Sequence, residues 1–371
     1  MVSYPAGIVQ STRPSRPSGA PLLRNSSVVT STSPIGTPAP TGGASAGGRA
    51  DSGTLQAGLE PPTDELPCPL PPSELLRIGE TALEPLEQAQ IRLVRASLKP
   101  GPLDRATRTM QRTVGQAWIR AVTSRLRHVH GLNRLPPWNR STSILCVANH
   151  RSFFDLFVTT AELVARGLPQ RILFPVRSNF FYDHPLGPVV NGAMSFFAMY
   201  PPIFRDRKRA ALNLASLDEI AALLRHGGFF VGMHPEGMRK KDGDPYALLP
   251  AQGGVGRVIR KAASPSHDEV SGASRRAGHE TIVLPVFVNG LGNDFAKQVK
   301  DGLTGRGEPI HMVFGEPIDF GDLLGAPETP RTYKALAEKC VDVLTKLGHE
   351  ERALRAARPL DSQRSLGSER P

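Results

Sequence analysis

Between residues 136 and 348, short apolar runs alternate with longer segments whose apolar positions recur every three or four residues. The runs at residues 144–148, 171–176, 229–233, 281–288 and 310–314 have the length and composition of buried strands. Helical spacing predicts helices at residues 153–166, 207–225, 255–262 and 333–347. Strands that alternate with helices predict an α/β fold, in which a mostly parallel sheet is flanked by helices.

Segments of different character flank this predicted main domain. Residues 1–70 are rich in Ser, Pro and Gly and lack any apolar period, so we expect them to be disordered. Residues 71–135 form a predicted helical region, in which residues 104–127 read as a basic amphipathic helix with Met110 and Trp118 on its apolar face. Either this helix lies in a lipid interface or it packs on the domain with a solvated basic face. Residues 349–371 predict a polar tail.

The composition of the 371-residue chain restricts the classes of protein that fit it. The formal net charge of +11 predicts a surface that meets polyanions, such as anionic lipid, an acidic carrier protein or nucleic acid. No apolar run reaches the roughly 18 residues needed to span a bilayer, so a membrane role would be peripheral. The N-terminus lacks the pattern of a secretory signal, and Cys68, Cys146 and Cys340 are too scattered for a disulfide framework or a metal site. We therefore expect a protein of the reducing cytoplasm.

The segment directly behind the first predicted strand carries candidate chemistry. Asn149 and His150 follow the strand, and Asp155 lies five residues after His150. Within one helix the last two side chains would diverge by roughly 140°, so they need a turn between them. Ser152 forms a capping-box pattern with Asp155, which predicts a helix from residue 153 and leaves His150 on the loop before it. A neutral imidazole that a carboxylate holds in one tautomer is suited to removing a proton from a hydroxyl group.

Three further patterns follow in order along the chain. An apolar run ends in Arg205 and Arg207 at the start of a helix, where cations oppose the helix dipole unless an anion binds there. A turn that leaves a strand contains Glu236, Gly237 and Arg239. Pro285 lies inside a strand and predicts an edge strand or a bulge. Singly, each pattern also fits a solvated helix start, a plain turn or an edge device, and only their joint order favours a shared site.

With these four blocks in this order, the sequence resembles the glycerolipid acyltransferases, which include the 1-acylglycerol-3-phosphate acyltransferases. That family has an Asn-His-x4-Asp block, an Arg-ending apolar block, a Pro-Glu-Gly-Thr-Arg block and an apolar-Pro block, and the resemblance runs from roughly residue 132 to 347. It implies that His150 is the general base and that Asp155 orients it. The residues it implies for the acceptor phosphate are Arg205, Arg207, Glu236, Gly237 and Arg239, and those for acyl-donor or structural motifs are Asn149 and Pro285.

The function that this resemblance implies is transfer of a fatty acyl group from acyl-CoA or acyl carrier protein to 1-acylglycerol-3-phosphate, a step of phospholipid biosynthesis. Another lysolipid, an aminolipid or glycerol-3-phosphate is the alternative acceptor. Because a thioester reacts with an alcohol that a base deprotonates, we expect no metal and no cofactor beyond the co-substrate. The expected partners are the lysophospholipid, the acyl donor and the lipid surface at the inner face of the membrane.

This sequence departs from the family pattern at two positions and leaves a third open. His234 stands where the family usually has Phe, and Met238 stands where it has Thr, so one hydroxyl that would face the acceptor is missing. Both Arg205 and Arg207 match the family arginine, and the sequence does not choose between them.

A non-catalytic module that binds nucleic acid is the rival class, and it is suggested by charge alone. Such a module needs exposed aromatic side chains among its basic residues. The aromatic residues considered lie instead in predicted core segments and are Phe153, Phe154, Phe229 and Phe230. We therefore expect no nucleic-acid partner.

Overall fold

Strands from both halves of the chain meet in one sheet in a computed structural model, which describes residues 70–182, 184–204, 206–240, 243–263 and 281–357. Within these ranges the strands are β1 (Arg127–His130), β2 (Ser143–Ala148), β3 (Arg171–Arg177), β4 (Met199–Ile203), β5 (Phe229–Met233), β6 (Thr281–Asn289) and β7 (Ile310–Phe314). Their order across the sheet is β1-β7-β6-β2-β5-β3-β4. Neighbouring strands are parallel except β6 and β7. The predicted α/β class with a mostly parallel sheet is confirmed.

The two strands that the sequence pattern did not indicate, β1 and β4, form the edges of the sheet. β1 carries Arg127, His128 and His130 and is only half buried, so it lacks the apolar signal of a core strand. β4 contains two prolines, which argue against a strand. An edge position tolerates proline because one side of the strand has no neighbour to receive its hydrogen bonds.

The prediction that Pro285 marks an edge or a bulge is wrong, because β6 lies between β2 and β7. The carbonyl oxygen of Pro285 accepts a hydrogen bond from the N–H of Gly315 at 3.0 Å, on the β7 side. The N and O of one strand residue point to the same side, so the missing N–H also faces β7. Pairing with β7 begins only at Val286 and Phe314. Pro285 therefore lies at the end of this ladder, where a proline interrupts the pairing least.

Helices cover the sheet and form the confirmed N-terminal helical region. The N-terminal helices are α1 (Glu74–Ile78), α2 (Pro85–Leu98), α3 (Pro102–Arg112) and α4 (Val114–Thr123). The others are α5 (Asp155–Ala165), α6 (Ser178–Phe181), α7 (Gly187–Ser195), α8 (Ala210–His226), α9 (Gly253–Ala263), α10 (Phe295–Thr304) and α11 (Pro330–Ala356). Among the described helices, none combines the length and the apolar character that crossing a bilayer requires.

The structure corrects two helix predictions at the ends of the domain. The single helix expected over residues 104–127 is two helices, α3 and α4, which meet at the non-helical Thr113. The polar tail expected from residue 349 is still helical to Ala356, because Glu351 is buried and pairs with Arg355 at 2.8 Å. The predicted disorder of residues 1–69, Cys68 and the tail beyond residue 357 lie outside the described residues.

Burial of the aromatic residues follows the prediction in part. Phe229 and Phe230 are fully buried at the start of β5, as expected of core residues. Phe154 packs against the core while partly buried. Phe153 contradicts the prediction, since its side chain is 41% exposed on the loop before α5.

Candidate active site

The loop between β2 and α5 brings His150 and Asp155 together, as the spacing of the two residues predicts. Nδ1 of His150 lies 3.5 Å from Oδ2 of Asp155. The helix begins at Asp155 rather than at residue 153, so the predicted capping box is wrong. The Ser152 hydroxyl instead accepts from the Phe154 N–H at 3.2 Å and donates to the Gly292 carbonyl at 2.7 Å. The serine shapes the loop and ties it to the segment after β6.

Asp155 is fully buried, and its carboxylate is held by its own loop. Oδ2 accepts hydrogen bonds from the backbone N–H groups of Arg151 at 2.8 Å and Ser152 at 2.7 Å. Burial raises the pKa of Asp155 to about 6, against the opposing effects of His234 and of these two amides. The carboxylate is therefore fixed toward His150 and ionised at neutral pH.

His150 is neutral at physiological pH and keeps one side accessible. Burial lowers the pKa of its imidazole to about 3, and the positive charges of Arg239 and Arg177 lower it further. The side chain is 19% exposed, and the buried Nδ1 faces Asp155. Their 3.5 Å separation is longer than an ordinary hydrogen bond. With Nδ1 turned inward, Nε2 is the nitrogen left to receive a proton.

Glu236 and Gly237 hold the loop that carries His150. Both oxygens of the buried Glu236 carboxylate accept backbone N–H groups, from His150 at 2.8 Å and from Leu249 at 2.7 Å. Gly237 adopts a φ of +68°, and a Cβ there would lie 2.8 Å from Cγ of Gln252. This turn needs glycine for both reasons. The carboxylate of Glu236 is thus directed at backbone amides, which gives it a positioning role.

Asn149 and Pro285 support the site from the sheet below it. The buried Asn149 side chain donates to the Val288 carbonyl at 2.8 Å and accepts from the Val288 N–H at 2.7 Å. It therefore extends the pairing of β2 with β6 beyond the end of β2. Pro285 lies in β6 opposite Val147, two residues before the Asn149 position.

The predicted arginines of the acceptor site are described only in part. Arg239 donates from Nη1 to Oδ1 of Asn293 at 2.9 Å and lies near enough to His150 to influence its protonation. Arg205 lies outside the described residues. Arg207 begins a short 3-10 turn, Arg207–Arg209, before α8, and only its backbone is described.

Sequence reasoning assigned no role to His234 and Arg177, which the structure places at the site. The ring of His234 stacks on that of His150 with centroids 3.7 Å apart and planes inclined by 9°. Arg177 ends β3 and affects the pKa of His150. The sequence could have indicated both residues, since each lies at or just beyond the carboxyl end of a parallel strand, where the sites of α/β proteins usually lie.

His150, Asp155 and His234 also offer one metal-ligand atom each, all within 4.8 Å of one another. The imidazole rings are stacked nearly parallel, so the lone pairs of their nitrogens run side by side in two planes. A metal ion requires lone pairs that converge on it from about 2 Å. One ring would have to rotate before both could bind the same ion, and the arrangement fits stacking better than metal coordination.

Comparisons with known proteins place this geometry in context. Residues 127–289, from the start of β1 to the end of β6, match the family model described as Acyltransferase. No curated protein matches the chain at a significant level. Among solved structures, the chain is similar to the crystal structure of the 1-acyl-sn-glycerophosphate (LPA) acyltransferase PlsC from Thermotoga maritima. That similarity covers 77% of this chain and 95% of the other, with 17% identity and a TM-score of 0.43.

Proposed function

We propose that this chain, which belongs to the acyltransferase family, transfers a fatty acyl group from acyl-CoA or acyl carrier protein to 1-acylglycerol-3-phosphate. The observation that carries the proposal is the neutral His150, which faces the buried carboxylate of Asp155 at 3.5 Å and is influenced by the charges of Arg177 and Arg239. The pair supplies a base, and the arginines supply charge that suits a phosphorylated acceptor.

The proposed reaction needs only this base and correct positioning. The acceptor hydroxyl transfers its proton to Nε2 of His150 while its oxygen attacks the thioester carbonyl carbon. The negative charge of Asp155 stabilises the imidazolium that forms. The carbon–sulfur bond of the tetrahedral intermediate then breaks, and the departing thiolate receives the proton from His150. The products are the ester and the free thiol, and His150 returns to its neutral state.

A phosphate on the acceptor is supported by the cations near His150. Arg177 and Arg239 both act electrostatically on the imidazole, so an anion beside them would be stabilised by the same charges. The guanidinium group binds phosphate through two parallel hydrogen bonds, which the ammonium group of lysine does not match. In this proposal Arg205, Arg207 and Arg239 bind the phosphate, while Gly237 and Glu236 hold the turn that carries Arg239.

Replacing an arginine that binds the phosphate should weaken acceptor binding selectively. For Arg207→Ala, Arg205→Ala and Arg239→Ala we expect the acceptor KM to rise by about 10-fold or more for each true ligand, with the donor KM within about 2-fold. Initial-rate kinetics with each substrate varied in turn measure both constants. Arg331→Ala, an exposed change at the start of α11, is the control. Equal increases of both KM values would contradict a phosphate contact for that residue.

The identity of the acceptor is tested by a panel of alcohols with one acyl donor. We expect kcat/KM for 1-acylglycerol-3-phosphate to exceed that for lysophosphatidylcholine, an aminolipid and glycerol-3-phosphate by about 10-fold or more. Preference for any other member of the panel would move the proposal to that acceptor class. Acyl-CoA and acylated carrier protein are compared in the same assay, which identifies the donor.

Helices α3 and α4 support a location on a lipid surface. The residues that α3 buries are polar, namely Asp104, Thr107 and Gln111. Its outer surface and that of α4 present apolar side chains that are between 40% and 55% exposed, namely Leu103, Met110, Val114 and Trp118. Arg105, Arg112 and Arg120 are also exposed on these helices. Apolar residues among cations are the pattern of a helix that lies in an anionic lipid interface.

Removing two of these apolar side chains should reduce membrane binding. With Met110→Ser and Trp118→Ser combined, we expect the fraction of protein that floats with phosphatidylglycerol-containing vesicles to fall at least about 3-fold, because less apolar surface enters the interface. Leu214→Ser, which removes an apolar side chain that is 49% exposed on α8, is the matched control. An unchanged floated fraction in the double variant would place the membrane contact elsewhere.

A further inference from the structure

His234 lies directly after β5 and covers one face of the His150 ring. The ring centroids are 3.7 Å apart and the planes are inclined by 9°, so the rings overlap face to face. Nδ1 of His234 lies 2.9 Å from the carbonyl oxygen of Ala148, the last residue of β2. Because a carbonyl oxygen can only accept, Nδ1 of His234 carries the proton of this hydrogen bond. The His234 ring is therefore fixed in tautomer and in orientation.

The backbone of His150 is held by the same segment that carries His234. Its N–H donates to Glu236 at 2.8 Å, and its carbonyl oxygen accepts from the Lys240 N–H at 3.2 Å. The imidazole is held less closely, since Nδ1 is 3.5 Å from Asp155 without a closer partner among the described residues, and the Ser152 backbone also interacts with the ring. The stacked ring of His234 covers one face of the imidazole and restricts the planes that the imidazole can adopt.

We propose that His234 is a positioning residue for the base, whose ring face holds His150 with Nδ1 toward Asp155 and Nε2 toward the acceptor hydroxyl. This inference rests on the proposed function for its kinetic consequence, but the position of the ring is a property of the protein alone. A side chain without a flat face would let the imidazole rotate about its χ2 angle, and only part of the population would then be productive.

The charge state of His234 agrees with this role. Burial lowers the pKa of His234 to about 3, and the groups that act on it electrostatically are His150, which lowers its pKa, and Asp155, which raises it. His150 is further influenced by Arg177 and Arg239. His234 therefore stays neutral at working pH. When His150 accepts a proton, the imidazolium meets the face of a neutral aromatic ring rather than a second positive charge.

Two variants of His234 distinguish the effect of a flat ring from the effect of the volume that the side chain fills. His234→Phe keeps a flat ring without the bond to Ala148, and His234→Leu fills the space without a flat ring. We expect His234→Phe to retain kcat within about 3-fold and His234→Leu to lose about 10-fold or more, with both KM values within about 2-fold of the parent. His349→Ala, which removes an exposed histidine on α11, is the control for loss of one imidazole.

A spectroscopic measurement tests the position of the ring independently of turnover. In ¹⁵N NMR spectra we expect His150 to show one tautomer in the parent and in His234→Phe, and an average of two tautomers in His234→Leu. Equal kcat values for the two variants would overturn the proposal, as would an unchanged ¹⁵N signature of His150 in His234→Leu. If the parent transfers no acyl group to any acceptor, the proposed function fails, and the ¹⁵N spectra still decide the role of His234.

Discussion

Replacement of His150 by Ala is expected to lower kcat for acyl transfer by about 10³-fold or more, with little change in either KM. Its imidazole combines a neutral, proton-accepting nitrogen with a carboxylate partner, Asp155 at 3.5 Å, and keeps one side accessible. Without it the acceptor hydroxyl must lose its proton to water during the attack. Binding of the two substrates uses other groups and should survive the change.

The lower kcat of His150→Ala must be distinguished from unfolding of the variant. The His150 backbone, rather than its side chain, makes the hydrogen bonds with Glu236 and Lys240, so the variant should retain the loop and unfold at about the same temperature as the parent. His349→Ala is again the control for removal of one histidine. A folded His150→Ala protein with kcat within about 10-fold of the parent would show that another group acts as base.

Replacement of Asp155 by Asn is expected to lower kcat by about 10²-fold. The amide oxygen can still accept the N–H groups of Arg151 and Ser152, which the carboxylate binds at 2.8 and 2.7 Å, so the loop should keep its shape. The negative charge that stabilises the imidazolium is lost. Initial rates at saturating donor and acceptor measure the effect, and thermal unfolding monitors the fold.

The same carboxylate should give the parent enzyme an acid limb in its pH profile. Burial raises the pKa of Asp155 to about 6, so the charged form dominates above that pH and the protonated form below it. His150 has a lower pKa, about 3, and stays neutral across this range. We therefore expect kcat to fall as the pH drops through about 6, and Asp155→Asn to lack this limb. A parent profile that is flat down to about pH 5 would contradict the role of the carboxylate.

The sequence was sufficient for the central strands and for the proximity of His150 and Asp155. The apolar runs that became β2, β5, β6 and β7 are bounded by turn residues and are buried on both faces, which leaves an uninterrupted apolar signal. His150 and Asp155 were predictable because their spacing required a turn and Ser152 offered one. The hydrogen bonds of that turn were not predictable, since the Ser152 hydroxyl bonds to Gly292, 140 residues away in sequence.

Tertiary contacts decided the features that the sequence left open or misassigned. Glu236 reads as a site carboxylate, yet its oxygens meet two backbone amides from separate loops. The sequence predicts that Pro285 lies in an edge strand, yet the proline lies in a central strand, β6, at the point where the partner strand β7 ends. His234 reads as a departure from a pattern, and only the assembled sheet shows that it stacks on His150. Each depends on residues that are distant in the chain, which local patterns do not report.

The most direct test of the account is the stoichiometry of one reaction with purified full-length protein in mixed micelles. Release of free CoA from palmitoyl-CoA is followed with and without 1-acylglycerol-3-phosphate, and the labelled lipid product is quantified at the same time. We expect CoA release to depend on the acceptor and to equal the diacylglycerol phosphate formed. CoA release at the same rate with and without the acceptor would indicate a thioesterase. No acceptor-dependent transfer from either acyl-CoA or acylated carrier protein, with any member of the lysolipid panel, would contradict the proposed function.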